Sequence, residues 1–154
     1  MTKILTIIPA RANSKGVPGK NKMKLNGVSL VKHAYNIATK SKFNLDIILS
    51  TDDDEIINNF KNIDININRR KHSLSTDDSP VSDTINFILG DSKEYDFILL
   101  LQPTSPIRTT LDIDNCISML LNMPEINTVI SVCEMNDIHP GRMYWPVDNM
   151  MEPI

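Results

Sequence analysis

A short loop with three cations and two glycines is the part of this sequence best suited to chemistry. Arg11, Lys15 and Lys20 lie within ten residues of one another, and Gly16 and Gly19 stand between the two lysines. Glycine permits backbone conformations that bring N–H groups close to a bound anion, while the cations supply positive charge. The loop therefore predicts a polyphosphate site, and a basic turn exposed to solvent is the alternative interpretation.

This basic loop matches neither of two common phosphate-binding motifs. Counted back from Gly19 and Lys20, a P-loop needs glycine where Ser14 stands and serine or threonine where Asn21 stands. The dinucleotide-binding motif also needs a glycine at position 14. The sequence therefore disfavours both of these nucleotide folds.

The elements around the basic loop predict an α/β fold. The apolar, β-branched run at residues 4–8 predicts a buried strand, so the loop leaves the carboxyl end of a central strand, where ligands bind in open α/β sheets. Further strands are predicted at residues 47–49, 63–67, 97–101 and 128–132, and helices after caps at Ser29, Asp53 or Asp54, Ser79 and Thr110. This alternation predicts a Rossmann-like three-layer α/β/α sandwich with a mostly parallel central sheet. Within it, 63–67 should lie near an edge and 97–101 centrally.

A second loop, at residues 102–108, contains two prolines that restrict its shape. Gln102, Thr104 and Ser105 would present polar groups with little loss of entropy on binding. If the strands before the two loops are parallel, the loops face each other across one sheet edge. A rigid connection with incidental polar residues is the alternative.

The acidic run at residues 52–55 has two interpretations. It contains an Asp-x-Asp pattern suited to a metal ion, but carboxylates in a first helical turn also interact favourably with the helix dipole. We prefer the capping interpretation. Asn26-Gly27 predicts a tight turn, and the isolated Cys116 and Cys133 predict packed free thiols.

The bulk properties predict one soluble globular domain. The chain has 154 residues, 41% of them hydrophobic and 23% charged, with a net charge of −3. This charge gives no general attraction to nucleic acid or to an anionic membrane. Without an apparent signal peptide or spanning segment, we expect a cytoplasmic protein. Residues 134–154 show no clear period and predict an extended arm without helix or strand.

Three stretches together resemble one known family. Residues 8–21 read Ile-Pro-Ala-Arg-Ala-Asn-Ser-Lys-Gly-Val-Pro-Gly-Lys-Asn, and residues 70–84 and 99–108 continue the likeness. The sequence is similar to the acylneuraminate cytidylyltransferases, where Gly-Gly usually replaces Ala12-Asn13 and proline often replaces Lys71. The resemblance implies a nucleotidyltransferase-type fold. It also implies transfer of CMP from CTP to an acidic nine-carbon sugar of sialic or legionaminic type, releasing pyrophosphate.

The resemblance also implies roles for individual residues. Lys20 and Arg11 would be catalytic, and Gln102 would bind the sugar substrate. The nucleotide would be bound by Arg11, Ser14, Lys15, Lys20, Asn21, Arg70 and Ser79. Mg²⁺ is the cofactor expected from the family. Its usual ligands there are an Asp-x-Asp segment downstream of the dimerisation arm, which is distinct from Asp52–Asp54, so no residue of this sequence is assigned to a metal.

The domain organisation follows from the same resemblance. Residues 1–133 would form the nucleotide-binding domain and residues 134–154 the start of a dimerisation arm, so we expect a homodimer and a truncated or split family member with little turnover alone. The main alternative is a non-catalytic CTP-binding or oligomerisation remnant. A 3-deoxy-octulosonate cytidylyltransferase, or a glycosyltransferase using Asp52–Asp54 for metal, is a further alternative. Residues 139–145 favour the legionaminic branch.

Overall fold

The fold is a parallel sheet flanked by helices. The computed structural model describes residues 2–12, 14, 16–76, 78–90 and 94–132, and the backbone of two strands at 144–147 and 150–153. The elements, in chain order, are β1 (Ile4–Pro9), β2 (Lys24–Leu25), β3 (Val28–Ser29), α1 (Leu30–Ala38), β4 (Leu45–Thr51), α2 (Asp54–Phe60), β5 (Asn66–Arg69), α3 (Val81–Leu89), β6 (Phe97–Leu100), α4 (Thr110–Asn122), β7 (Tyr144–Val147) and β8 (Met150–Pro153).

The central sheet has the strand order β5-β4-β1-β6, and its neighbouring strands are all parallel. Strand β1 is buried because sheet neighbours lie on both sides and helices cover it. Ile8 and Leu49 from the sheet pack with α1, α2 and α4 in one core, while α3 contacts β1 separately. The predicted Rossmann-like α/β fold with a mostly parallel sheet is confirmed.

The predicted position of the 97–101 strand is wrong. Within the described residues β6 has only β1 as a neighbour, so it lies at the sheet edge, and Ile98 is 42% exposed. The strand predicted at residues 128–132 is also wrong, because these residues are irregular and Val132 is 61% exposed. An apolar run predicts that the faces of a strand are covered. It does not predict whether a second strand pairs with each of its edges.

The 63–67 strand is edge-located, as predicted, but it lies further along the chain, at Asn66–Arg69. Strand β5 starts at Asn66, so Ile63 and Ile65 precede it. Both isoleucines nevertheless pack against the core. Alternating burial therefore continues beyond the hydrogen-bonded pairing with β4.

Two of the predicted helix caps are confirmed. The Ser29 hydroxyl accepts a hydrogen bond from the Lys32 N–H at 3.3 Å. Asp53 is the cap of α2, and its Oδ1 accepts from the N–H groups of Glu55 and Ile56 at 2.9 and 3.3 Å. Carboxyl and hydroxyl acceptors thus satisfy donors that the first helical turn leaves unpaired.

The other two caps differ from the prediction by one residue. The extended Pro80, which has no side-chain acceptor, occupies the N-cap position of α3 in place of Ser79, whose hydroxyl donates to the Ser73 carbonyl. Helix α4 is capped by Thr109 rather than by Thr110. The Thr109 hydroxyl accepts from the Asp112 N–H at 3.3 Å while the Asp112 carboxylate accepts from Thr109, and this reciprocal bonding places the cap of α4 one residue earlier.

The Asn26-Gly27 turn is confirmed and joins β2 to β3 as a hairpin. Asn26 has φ 51° and Gly27 has φ 80°, both in the left-handed region. Two successive positive φ angles are the requirement of a type I′ turn, which Asn-Gly meets at low cost. The hairpin lies between the basic loop and α1.

The last segment corrects another prediction, since it contains two strands. β7 and β8 pair antiparallel, from Tyr144 opposite Pro153 to Val147 opposite Met150. Pro146 and Pro153 lie within these strands, and the two strands of such a sheet are both edge strands, which tolerate proline. Cys133 and residues 134–143 lie outside the described residues, and the dimerisation role of 134–154 stays a prediction.

The free Cys116 is half-buried on α4, and burial raises the pKa of its thiol.

Along the described residues, no helix combines the length and apolar character needed to cross a membrane.

A reciprocal cap at the start of α4 generates a pH-dependent prediction. Asp112 Oδ2 accepts hydrogen bonds from the N–H and the hydroxyl of Thr109, at 2.6 and 2.9 Å. These bonds lower the pKa of Asp112 below its ordinary value of 3.8. Because the native pKa is the lower one, the stabilisation is present above the unfolded pKa and is lost as pH falls through the native pKa.

We therefore expect Asp112→Asn to lower the free energy of unfolding at pH 6, and the difference from the wild type to shrink as the pH falls below 4. Urea unfolding at several pH values measures this. Asp64→Asn, at an exposed position before β5, is the control. A difference that does not change with pH would contradict the expected linkage.

Candidate functional site

The two loops singled out in the sequence line one cleft at the carboxyl edge of the sheet. The cleft has a volume of about 340 Å³. The prediction that the basic loop and the 102–108 loop face each other is therefore confirmed. Seven of the predicted site residues line this cleft: Arg11, Ser14, Lys20, Asn21, Arg70, Ser79 and Gln102. The eighth, Lys15, lies outside the described residues.

Parallel pairing explains why residues so distant in sequence meet here. Pro9 ends β1, Arg70 directly follows β5, and Gln102 lies just beyond β6. Parallel strands place all their carboxyl ends at one edge, where the connections diverge and leave a crevice. The sheet therefore brings three separate segments to one site.

Arg11 connects the basic loop to the loop before α3. Its Nη1 donates to the carbonyl oxygen of Thr76 at 2.7 Å. The Thr76 hydroxyl is 2.8 Å from the Ser79 hydroxyl, which donates to the Ser73 carbonyl at 2.7 Å. A phosphate that accepts a bond from Ser79 would require this hydroxyl to turn away from Ser73.

The N-terminus of α3 adds partial positive charge to the cleft. Val81, the first residue of α3, lines the cleft, and Pro80 supplies no side-chain cap. The first N–H groups of a helix carry a partial positive charge. This end of α3 therefore favours an anion in the cleft.

Arg70 is a buried cation in the wall of the cleft. It is 8% exposed, and its Nε and Nη2 donate to the hydroxyl and the carbonyl of Ser50, each at 3.3 Å. Burial lowers the pKa of Arg70, the charge of Asp52 opposes this effect, and the charge of Arg11 adds to it. Arginine remains protonated at neutral pH, so a partly desolvated positive charge faces the cleft.

Lys20 and Lys22 have different surroundings although both lie in one 3₁₀ turn, Lys20–Lys22. The Lys22 ammonium lies 3.2 Å from Asp53 and 2.8 Å from Glu55. Lys20 lines the cleft, and among the described residues its ammonium has no ion-pair partner. The charge of Lys20 is therefore available to an anion, whereas that of Lys22 is neutralised.

Asn21 holds the basic loop from within. Its side chain is buried, with 6% exposure for the residue, and its Nδ2 donates to the Arg11 carbonyl at 2.9 Å. Gly19, before the turn, has φ 64°, which a residue with a side chain adopts only with strain. Asn21 thus has a structural function in addition to its predicted contact with a nucleotide.

Sequence reasoning missed Arg108. Its Nε donates to the Ser105 carbonyl at 2.8 Å, and its Nη2 donates to the Gln102 carbonyl. One guanidinium therefore closes the polar loop and sets the direction of the chain at Gln102. An arginine at the end of a loop whose carbonyls have no strand partner is the signal that points to this function.

The acidic run also has functions that the sequence showed only in part. Asp53 caps α2, as preferred, while Asp52 Oδ1 accepts from the Ala12 N–H at 2.7 Å. No group of three His, Cys, Asp or Glu side chains among the described residues is placed to hold a metal ion. The carboxylates of this run thus support the basic loop and α2.

Comparison with known proteins agrees with the geometry of the cleft. The family model described as cytidylyltransferase matches residues 5–140, which include both loops and Arg70. The chain belongs to the cytidylyltransferase family. Its family membership confirms the resemblance carried by the basic loop.

Two curated relatives show where in the family the similarity lies. The chain is 29% identical over 148 residues to N-acylneuraminate cytidylyltransferase of Escherichia coli, covering 96% of this chain and 35% of that protein. It is 38% identical over 111 residues to CMP-N,N'-diacetyllegionaminic acid synthase of Legionella pneumophila, covering 69% of this chain and 48% of that protein. The chain thus spans between a third and a half of these relatives.

Solved structures show the same fold. A CMP:2-keto-3-deoxy-manno-octonic acid synthetase, solved in complex with CTP, matches with a TM-score of 0.65 at 19% identity, over 80% of this chain and 49% of that one. A cytidylyltransferase of Leptospira borgpetersenii matches with a TM-score of 0.59 at 20% identity, over 79% and 50%. These neighbours have the Rossmann-like nucleotidyltransferase fold.

The contact between Asn21 and Arg11 can be tested without a ligand. Asn21→Ala removes the donor to the Arg11 carbonyl and should lower the free energy of unfolding by about 1 kcal/mol. Urea unfolding measures the change. Asn58→Ala, at an exposed position on α2, should stay within about 0.5 kcal/mol of the wild type. Equal stabilities for both variants would show that Asn21 does not hold the loop.

Proposed function

We propose that the cleft binds CTP and serves the transfer of its cytidylyl group to the anomeric hydroxyl of an acidic nine-carbon sugar, with release of pyrophosphate. The observation that carries this proposal is the convergence of Arg11, Lys20, Arg70 and Gln102 on one cleft in a chain of this family. Sialic and legionaminic acids are the sugar classes, because the curated relatives with these names are similar over most of the chain.

The proposed reaction makes one bond to phosphorus and breaks another. The sugar hydroxyl oxygen attacks the α-phosphorus, its proton is released, and the bond from this phosphorus to the oxygen shared with the β-phosphate breaks. Negative charge accumulates on the transferring phosphoryl oxygens and on the leaving pyrophosphate. Cations fixed beside these oxygens lower the barrier because they require no rearrangement as the charge develops.

We assign a separate role in this reaction to each group of cleft residues. Lys20, with its available ammonium, is our choice for the transition-state cation, and Arg11, held by Thr76, is the second. Arg70 would bind the nucleotide from the buried wall, together with Ser14, Lys15, Asn21 and Ser79. Gln102, on the opposite loop, would contact the sugar.

Three properties of the whole protein belong to the proposal. We propose a homodimer that uses the 134–154 segment, a cytoplasmic location, and Mg²⁺ as the cofactor expected from the family. Since the described residues include no carboxylate cluster suited to a metal ion, the steps above use only the protein's own cations. The catalytic activity is proposed for the whole protein, because this chain spans about a third to a half of its relatives.

CTP affinity is the first test. We expect isothermal titration calorimetry to detect CTP binding, and Lys20→Ala to weaken it by about ten- to a hundredfold, the value of a hydrogen bond to a charged group. Lys24→Ala, four residues away and exposed on β2, is the matched control and should bind CTP as the wild type does. Equal affinity of Lys20→Ala and Lys24→Ala would contradict the role of Lys20.

Pyrophosphate release is the second measurement in the same experiment. The chain is incubated with CTP, Mg²⁺ and sialic, legionaminic or pseudaminic acid, with and without the downstream portion of a relative. Release that depends on the sugar supports the transferase. CTP binding without release under every condition favours the alternative of a non-catalytic CTP-binding chain.

A further inference from the structure

Three consecutive side chains at the end of β4 hold the basic loop. The Thr51 hydroxyl donates to the Ala10 carbonyl at 2.5 Å. The Asp52 carboxylate accepts from the Ala12 N–H at 2.7 Å, and the Asp53 carboxylate lies 3.2 Å from the Lys22 ammonium. Two of these contacts hold the beginning of the region that carries Arg11 and Lys20, at Ala10 and Ala12, and the third holds its end, at Lys22.

Asp52 is the least expected of these three residues. Thr51 is fully buried and Asp53 is 7% exposed, whereas Asp52 is half-buried. Its charge acts on Arg70 in the wall of the cleft, since it opposes the lowering of the Arg70 pKa that burial causes. A carboxylate so near an anion site disfavours a bound phosphate by charge repulsion. Any favourable effect of Asp52 on phosphate binding must then come from the position in which it holds the basic loop.

We propose that Asp52 is a positioning residue of the triphosphate site. Its carboxylate oxygen fixes the Ala12 amide, and so fixes the path of the backbone immediately after Arg11. In this position Arg11 reaches both the Thr76 carbonyl and the cleft. The inference rests on the proposed function for its ligand, but the hold on Ala12 belongs to the free protein and can be measured without CTP.

The acceptor oxygen and the negative charge of Asp52 can be separated by substitution. Asp52→Asn keeps an oxygen acceptor and removes the charge, while Asp52→Glu keeps the charge and moves the acceptor by one methylene. Asp52→Ala removes both. Asp54→Asn is the matched control, because Asp54 is exposed and its ion pair among the described residues is with the exposed Arg69, at 2.7 Å.

CTP binding to these variants, measured by calorimetry, tests the positioning role. We expect Asp52→Ala to bind at least about tenfold more weakly and Asp52→Glu about threefold more weakly, since a misplaced loop costs contacts to charged groups. Asp52→Asn should bind as the wild type or more tightly, and Asp54→Asn as the wild type. Circular dichroism verifies folding. If Asp52→Ala does not fold, the positioning role is tested by whether Asp52→Glu weakens CTP binding while Asp52→Asn does not.

Two results would overturn the positioning role. Tighter binding by both Asp52→Ala and Asp52→Asn would show that Asp52 acts only through its charge. Weaker binding by Asp52→Asn, to the same extent as Asp52→Ala, would show that the charge is required, as for a metal ligand.

Hydrogen exchange of the Ala12 amide, measured by NMR on the free protein, tests the contact itself. Asp52→Ala should exchange at least about tenfold faster, because a hydrogen bond to a charged acceptor is lost. Asp54→Asn should exchange as the wild type does, and Asp52→Asn, which keeps a neutral acceptor, should exchange at a rate between those of the wild type and Asp52→Ala. Unchanged exchange in Asp52→Ala would overturn the inference, whereas changed exchange in a protein that does not bind CTP would overturn only the proposed function.

Discussion

The hydrogen-bonded register of three parallel strands is the constraint on which the cleft depends. Ile7 of β1 lies opposite Ile48 of β4 on one side and Leu100 of β6 on the other. The chains that follow these strands therefore leave the sheet at one level. A slip of β6 by one residue would move Gln102 by about 3.3 Å and turn its side chain to the other face. The distance between the two sides of the cleft is thus set by strand pairing inside the sheet.

Beyond the ends of the strands, side chains bonded to backbone carbonyls replace the sheet as the source of order. Thr51 bonds to Ala10, Asn21 to Arg11, Arg11 to Thr76 and Arg108 to Ser105. In each pair a polar side chain donates to a backbone carbonyl outside the helices and strands, and the Thr76 carbonyl also accepts from the Ser79 N–H at 3.3 Å. The entropy of ordering these loops is consequently lost during folding, so that less remains to be lost on binding.

The charge of the cleft is local and opposes the charge of the whole chain. The net charge is −3, yet Arg11, Lys20 and Arg70 line the cleft. Acidic residues of the neighbouring segment select which cations remain available: Asp53 and Glu55 neutralise Lys22 and leave Lys20. Residues 51–55 therefore hold the basic loop in place through hydrogen bonds, and through ion pairs they determine which lysine of that loop keeps an available charge.

The sequence alone determined the features that depend on residues a few positions apart. The burial of β1, the Asn26-Gly27 turn and the cap at Ser29 follow from local pattern and turn chemistry, and the motif around Lys20 identified the lining of the cleft. Only the tertiary structure decided that β6 lies at an edge, that Asp52 holds Ala12 across 40 residues, and that Arg11 reaches across 65. Periodicity and propensity depend on residues within one turn or one strand. The strand that pairs with a sheet edge, and the group that bonds a given carbonyl or carboxylate, come from chain segments that meet only in the folded molecule.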